Sequence, residues 1–207
     1  MAIAALVALS KGMETVLPHE LFTHVRIVMG MVIGLGITRM LAGLAGFIQH
    51  PGRHRVSLLH MLWVGSILLE LVLFWWWEFG LSRIPVWSFG VYLFLICYAV
   101  VLYLISALLF PDNIAEYAGY EDFFIRRRHW FFGLLAATFV LDVVDTLIKG
   151  SEHWSQLSGD YLVQVPIGLA LCLVAYVSAR RSVHIALASA HILYQSYWIV
   201  RVVYTMS

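Results

Sequence analysis

Two carboxylates stand inside an apolar run at residues 131–149, FFGLLAATFVLDVVDTLIK, which is long enough to cross a bilayer. Asp142 and Asp145 are three apart and share a helix face, which Thr138 and Lys149 extend in both directions. A carboxylate in hydrocarbon costs several kcal/mol unless it meets a partner, a proton or water. Other apolar runs carry Arg39, Glu70, His191 and Gln195. Counted from the run ends nearest the basic loops, at ~1.5 Å per residue, Glu70, Asp142 and Gln195 fall near ~20 Å depth. Arg39 and His191 fall near ~14 Å, and Asp145 lies one turn beyond Asp142. The sequence therefore predicts an intramembrane cluster of Arg39, Glu70, Asp142, Asp145, His191 and Gln195.

Such a cluster admits two chemistries. In one, Arg39 neutralises Glu70 or Asp142 and the cluster is a structural network. Hydrogen bonds across membrane helices contribute only about 0.6 kcal/mol on average, a weak reason to keep so many charges. In the other, a single arginine against three carboxylates leaves one to hold a proton, water or a cation, and His191 relays protons near neutral pH. The second reading is preferred.

Histidine chemistry is the other candidate. His60 and His184 sit at matching depth just inside their runs, with Ala188 one turn on, which is the pattern of a bis-histidine haem site. A di-iron reading through His50 and His54 is weaker, because Pro51 and Gly52 break the helix that would aim both rings. Glu78, at the end of WWWEF, reads as an isolated glutamate solvated at the interface. The chain has no GxSxG, P-loop, HExxH or GxGxxG pattern, so no catalytic residue is assigned and a non-enzyme is favoured.

Six apolar runs must position these groups: residues 21–48, 57–77, 86–110, 131–149, 161–179 and 183–204. The first is glycine-rich, with Gly30, Gly34, Gly36 and Gly43 spaced for close helix packing. The second ends in Trp75, Trp76 and Trp77, an interfacial aromatic belt. Pro166 should kink the fifth or sit in its first turn. Between the third and fourth runs, Asn113 and Glu116 have capping-box spacing and Arg126, Arg127 and Arg128 follow, so a short interfacial helix is expected before helix four. The fold expected is all-α, a polytopic membrane protein with a bundle of six transmembrane helices. Residues 1–20 form an N-terminal tail and 21–207 one domain.

Composition agrees. Of 207 residues, 62% are hydrophobic and only 12% charged, about half the charge of a soluble domain, so the bilayer is the expected partner. A net charge of +1, with basic residues confined to short loops, argues against a nucleic-acid partner. Cys97 and Cys172 lie in apolar runs without CxxC spacing and read as packing residues. Arginines concentrate in the first, third and fifth loops, which places those loops in the cytoplasm, both termini outside, and the chain in a plasma (inner) membrane of bacterial multipass type. The expected function is a small membrane transport protein for protons, a cation or a small solute. The small size of the bundle suggests a homo-oligomer or a larger complex, with the glycine face as contact. The alternatives are a non-catalytic accessory subunit of a larger membrane complex, and a haem-binding electron-transfer subunit; no cofactor is assigned beyond that haem reading.

Overall fold

The computed structural model describes residues 18–50, 52, 56–84 and 86–206. The N-terminal tail up to residue 17, and Pro51, Arg53, His54 and Arg55 of the first loop, lie outside the described residues. Within them the chain is all-helical: α1 (Pro18–Gln49), α2 (Leu58–Trp77), a 3-10 helix (Glu78–Arg83), α3 (Phe89–Ala107), α4 (Tyr120–Ile148), α5 (Ser151–Val177) and α6 (Arg181–Met206). Five of these segments, α1 to α5, are long and apolar enough to cross a membrane. The α6 helix is 26 residues long but more polar.

Local sequence sets the helix ends. Ser57 caps α2 and Ser88 caps α3, each accepting a backbone N–H three residues on. Gly119 and Gly150 precede α4 and α5 with φ of 148° and 112°, a backbone that side chains rarely tolerate. The expected interfacial helix is not a separate element. Asn113 accepts from the Ala115 amide, closing a tight turn instead of capping a helix, and the chain from Tyr120 runs directly into α4 as one 29-residue helix. Pro166 lies well inside α5, not in its first turn.

Contacts between helices give an up-and-down bundle. At one end, Arg39 of α1 meets Asp112, Ser57 hydrogen-bonds Glu121, and Arg181 meets Glu121. At the other, Arg26 lies over the Trp75 and Phe79 rings, Lys149 meets Glu78, and Arg201 meets Asp160. These are called below the basic-loop end and the opposite end. The central helix is α2, which touches α1, α3, α4 and α6. Parallel neighbours are α1 with α3, and α2 with α6; α4 and α5 form a long antiparallel pair. By contrast α5 and α6 touch only sparsely.

The glycine face of α1 is used inside the chain. A side chain at Gly30 would meet Trp75, one at Gly36 would meet Ser106, and one at Gly43 would meet Phe110. These three positions let α2 and α3 approach α1 closely. Gly34 faces open space. Around the perimeter the helices expose apolar side chains, among them Met31, Leu35, Val72, Val140, Leu162 and Leu193. So large an apolar surface is what a bilayer-facing wall requires.

Candidate functional site

The inward face of α4 carries Phe131, Phe132, Leu135, Thr138, Asp145 and Thr146, while Val140, Val144 and Leu147 face outward. Asp145 therefore points into the bundle, and Asp142 meets Tyr161 of α5. Three groups of polar side chains follow one another along the axis.

At the opposite end, the Lys149 ammonium lies 3.0 Å from Glu78 Oε1 and 2.5 Å from Asp145 Oδ2, and all three side chains are at most 4% exposed. The Asp145–Lys149 pair follows from their four-residue spacing on one helix face. Glu78 is not the solvated surface glutamate that its position after three tryptophans suggests. The tighter 3-10 turn that follows α2 carries it inward to Lys149. Each carboxylate keeps one buried oxygen, Glu78 Oε2 and Asp145 Oδ1, without a hydrogen-bond partner among the described residues.

One turn deeper, Tyr161 of α5 donates to Asp142 Oδ2 at 2.9 Å, and its hydroxyl lies 2.7 Å from Thr146 Oγ1. Deeper again, α2 and α6 are joined by four contacts. Gln195 Nε2 donates to Glu70 Oε2 at 2.6 Å and to the Ser66 carbonyl at 3.1 Å. The Ser66 hydroxyl donates to Gln195 Oε1 at 3.2 Å and lies 2.6 Å from His191 Nδ1. The buried phenol of Tyr98 lies within electrostatic reach of Asp142, Glu70, Asp145 and Glu78. Among the described residues Lys149 pairs with two of these carboxylates, Glu78 and Asp145, and His153 also acts electrostatically on Asp145.

Beyond His191, toward the basic-loop end, comes an aromatic layer. Trp63 lies against Phe124, Phe131 and Phe132 with ring centroids 6.2, 5.1 and 5.3 Å apart, and 5.9 Å from His191. This aromatic block is buried and tightly packed.

Of the residues expected to cluster, Glu70 and Gln195 meet directly and His191 reaches them through Ser66, while Asp142 is held by Tyr161 and Asp145 by Lys149. Arg39 joins none of them. It donates to the Phe110 carbonyl at 2.7 Å and to Asp112 at 2.8 Å, at the basic-loop end. The reason lies in α1: at 32 residues it spans ~48 Å, well beyond a ~30 Å hydrocarbon core. Distance from its end is therefore no measure of depth, and the end of α3 reaches Arg39 first.

His60 and His184 are buried, but each Nε2 is bonded to a backbone carbonyl: Leu109 at 2.7 Å for His60 and Ser178 at 2.8 Å for His184. The His60 ring stacks on Tyr120 and that of His184 on Phe132. Each ring keeps its Nδ1 buried and without a partner among the described residues, with an aromatic neighbour stacked on its face. Among the described residues no group of three or more His, Cys, Asp or Glu is placed to hold a metal ion.

Sequence reasoning missed Ser66, Tyr161 and Thr146 as partners. Ser66 was readable, because it stands four residues before Glu70 on the same face. Tyr161 carries no such signal, since tyrosine near a helix end reads as an interfacial anchor.

Against this geometry, no protein-family model matches the chain, nor does any curated protein or solved structure.

Proposed function

We propose that the protein is a small membrane transport protein that moves protons through the acidic unit formed by Glu78, Asp145, Asp142 and Glu70. The observation that supports this reading is the buried triad of Lys149 with Glu78 and Asp145, in which two carboxylates share one ammonium and each keeps an oxygen without a partner. Two carboxylates and one ammonium leave an excess negative charge in a region with little water to stabilise it, and a proton is the lightest way to remove it. A metal cation suits the site less well. It needs several oxygens at once and repels the ammonium already seated there.

In this reading protons enter at the opposite end, pass Asp142 and Tyr161, and reach Glu70, Gln195, Ser66 and His191. The aromatic block around Trp63 closes the remaining depth, so passage to the basic-loop end requires movement of α2 against α4. Six spans, with α6 completing the five apolar ones, give an even number of crossings and put both termini on one side. The arginine-rich loops argue for the cytoplasm on the other side, in a plasma (inner) membrane. The testing experiment is proton uptake into liposomes containing the purified chain, under an imposed potential and with an entrapped pH dye. Wild-type uptake that Asp142→Asn reduces at least ten-fold supports the reading, and uptake no faster than in empty liposomes removes it.

A further inference from the structure

The basic-loop ends of α4, α5 and α6 carry Arg126, Arg127, Arg128, Arg180 and Arg181, which are not equally satisfied. Arg126 pairs with Asp122 and Arg181 with Glu121. Arg127, Arg128 and Arg180 meet no carboxylate among the described residues. Arg128 is the most constrained of the three. Its Nε donates to the Tyr176 carbonyl of α5 at 3.3 Å and its Nη1 to the Ile125 carbonyl at 2.9 Å. Its Nη2 makes no hydrogen bond among the described residues. The guanidinium is thus held in place with one edge free.

From this point an apolar groove runs between α5 and α6, where the two helices touch sparsely, over a floor that includes Phe132 of α4. Arg128 stands four residues before Phe132, and Tyr176 four residues after Cys172, which lines the α5 wall. The guanidinium therefore sits one helical turn above the groove on both elements. Its charge also acts on His184 in the first turn of α6. Along α6 the groove extends from Leu187 to Trp198, or ~16 Å, roughly the depth of one leaflet. Trp130 and Tyr176 are exposed at the level of Arg128, as aromatic side chains are in the headgroup layer. We propose that this step binds one anionic phospholipid, its phosphate on the free edge of Arg128 and one acyl chain in the groove.

Charge selects the occupant. The groove alone accepts any apolar chain or ring, but a fixed guanidinium one turn above it calls for an anion at the same end. An apolar helix from a second copy fills the groove and brings no anion. Inorganic phosphate meets the guanidinium and leaves the groove unused. A choline headgroup returns an ammonium to a place where three arginines are already uncompensated, so phosphatidylglycerol fits better than phosphatidylcholine. The bound lipid joins α5 to α6 where the chain itself does not. Its binding does not rest on proton transport.

The test is native mass spectrometry of the full chain released from nanodiscs of equal phosphatidylglycerol and phosphatidylcholine. It is joined to photolabelling with a phosphatidylglycerol that carries a diazirine at the end of one chain. About one phosphatidylglycerol per chain should be retained, about five-fold in preference to phosphatidylcholine, with label on peptides of α5 and α6. Arg128→Gln should remove most of that preference and Arg180→Gln a smaller part. Arg126→Gln, at a residue already paired with Asp122, should leave it unchanged. Ala190→Phe, which fills the groove from α6, should lower retention without altering charge. Equal retention of the two lipids overturns the proposal, as does label outside α5 and α6. Equal losses in Arg126→Gln and Arg128→Gln also overturn it, because the general field of the basic end then explains the preference. So does displacement of the lipid by inorganic phosphate, or a dimer that Ala190→Phe breaks while lipid retention is unchanged. Should Arg128→Gln fail to fold, the lipid preference and labelling pattern of the wild-type chain decide. Asp142→Asn should retain the lipid, which separates a failure here from a failure of the transport reading.

Discussion

Lys149 at the end of α4 and Glu78 at the start of the 3-10 helix are 71 residues apart in sequence, yet their charged atoms meet at 3.0 Å with both side chains almost fully buried. Asp145 completes the group from one turn away. The three residues act as a unit, because removing the ammonium leaves two carboxylates facing each other without water. Lys149→Met should therefore cost about 3–5 kcal/mol, the usual consequence of orphaning a buried charge. The check is thermal unfolding in detergent. Lys149→Met combined with Asp145→Asn and Glu78→Gln should recover most of the loss, since no ion is then left unpaired.

Asp142 and Tyr161 separate function from stability. Tyr161→Phe removes one donor to the carboxylate and should lower the unfolding free energy by about 1 kcal/mol. In the liposome assay it should slow proton uptake less than Asp142→Asn does, because the carboxylate remains. Equal effects of the two variants would show that the hydroxyl, not the carboxylate, limits the step.

Arg39 should be dispensable for that uptake. Its partner Asp112 is 92% exposed, so the ion pair contributes about 0–1 kcal/mol. Arg39→Gln should leave proton flux within two-fold of wild type, roughly the scatter of such assays relative to a ten-fold effect. A large loss would return the arginine to the cluster from which the geometry removes it.

Glycines on α1 give contrasting outcomes. Gly43→Leu and Gly30→Leu force a side chain into Phe110 and Trp75, and should destabilise by about 1–3 kcal/mol or more. Gly34→Leu meets open space within the chain and should leave stability unchanged. Should Gly34→Leu instead alter the oligomer size measured by light scattering, the open part of this face is where copies meet.

The membrane-type fold was readable because it rests on composition and run length, whereas α4 and α5 start at Tyr120 and Ser151, about ten residues before the apolar runs expected at 131 and 161. Asp142, Asp145 and Lys149 were readable as one face because helical spacing is local. What escaped was the tertiary part of the site. Depth counting put Glu70, Asp142 and Gln195 at one level, of which Glu70 and Gln195 meet, but it misplaced Arg39 because α1 overshoots the hydrocarbon thickness. Glu78 failed for a different reason: a 3-10 turn redirects one residue by less than a helical turn, and no periodicity in the sequence records it. Trp63 carried no signal at all, since a tryptophan in an apolar run reads as ordinary core whether or not its N–H has a partner.

The pairing of Glu70 with Gln195 across 125 residues has a consequence for how the protein is made. At synthesis rates of ~5–20 residues per second, α2 enters the membrane roughly 6 to 25 s before its partner on α6 has been assembled. During that interval Glu70 lacks the amide that later meets it, and an unmatched carboxylate is costly in hydrocarbon. Arrival of the last helix is then the event that gives this residue its working environment. A chain that stops before α6 leaves the ribosome with this carboxylate unmatched, and so carries in its own chemistry a mark of incomplete assembly.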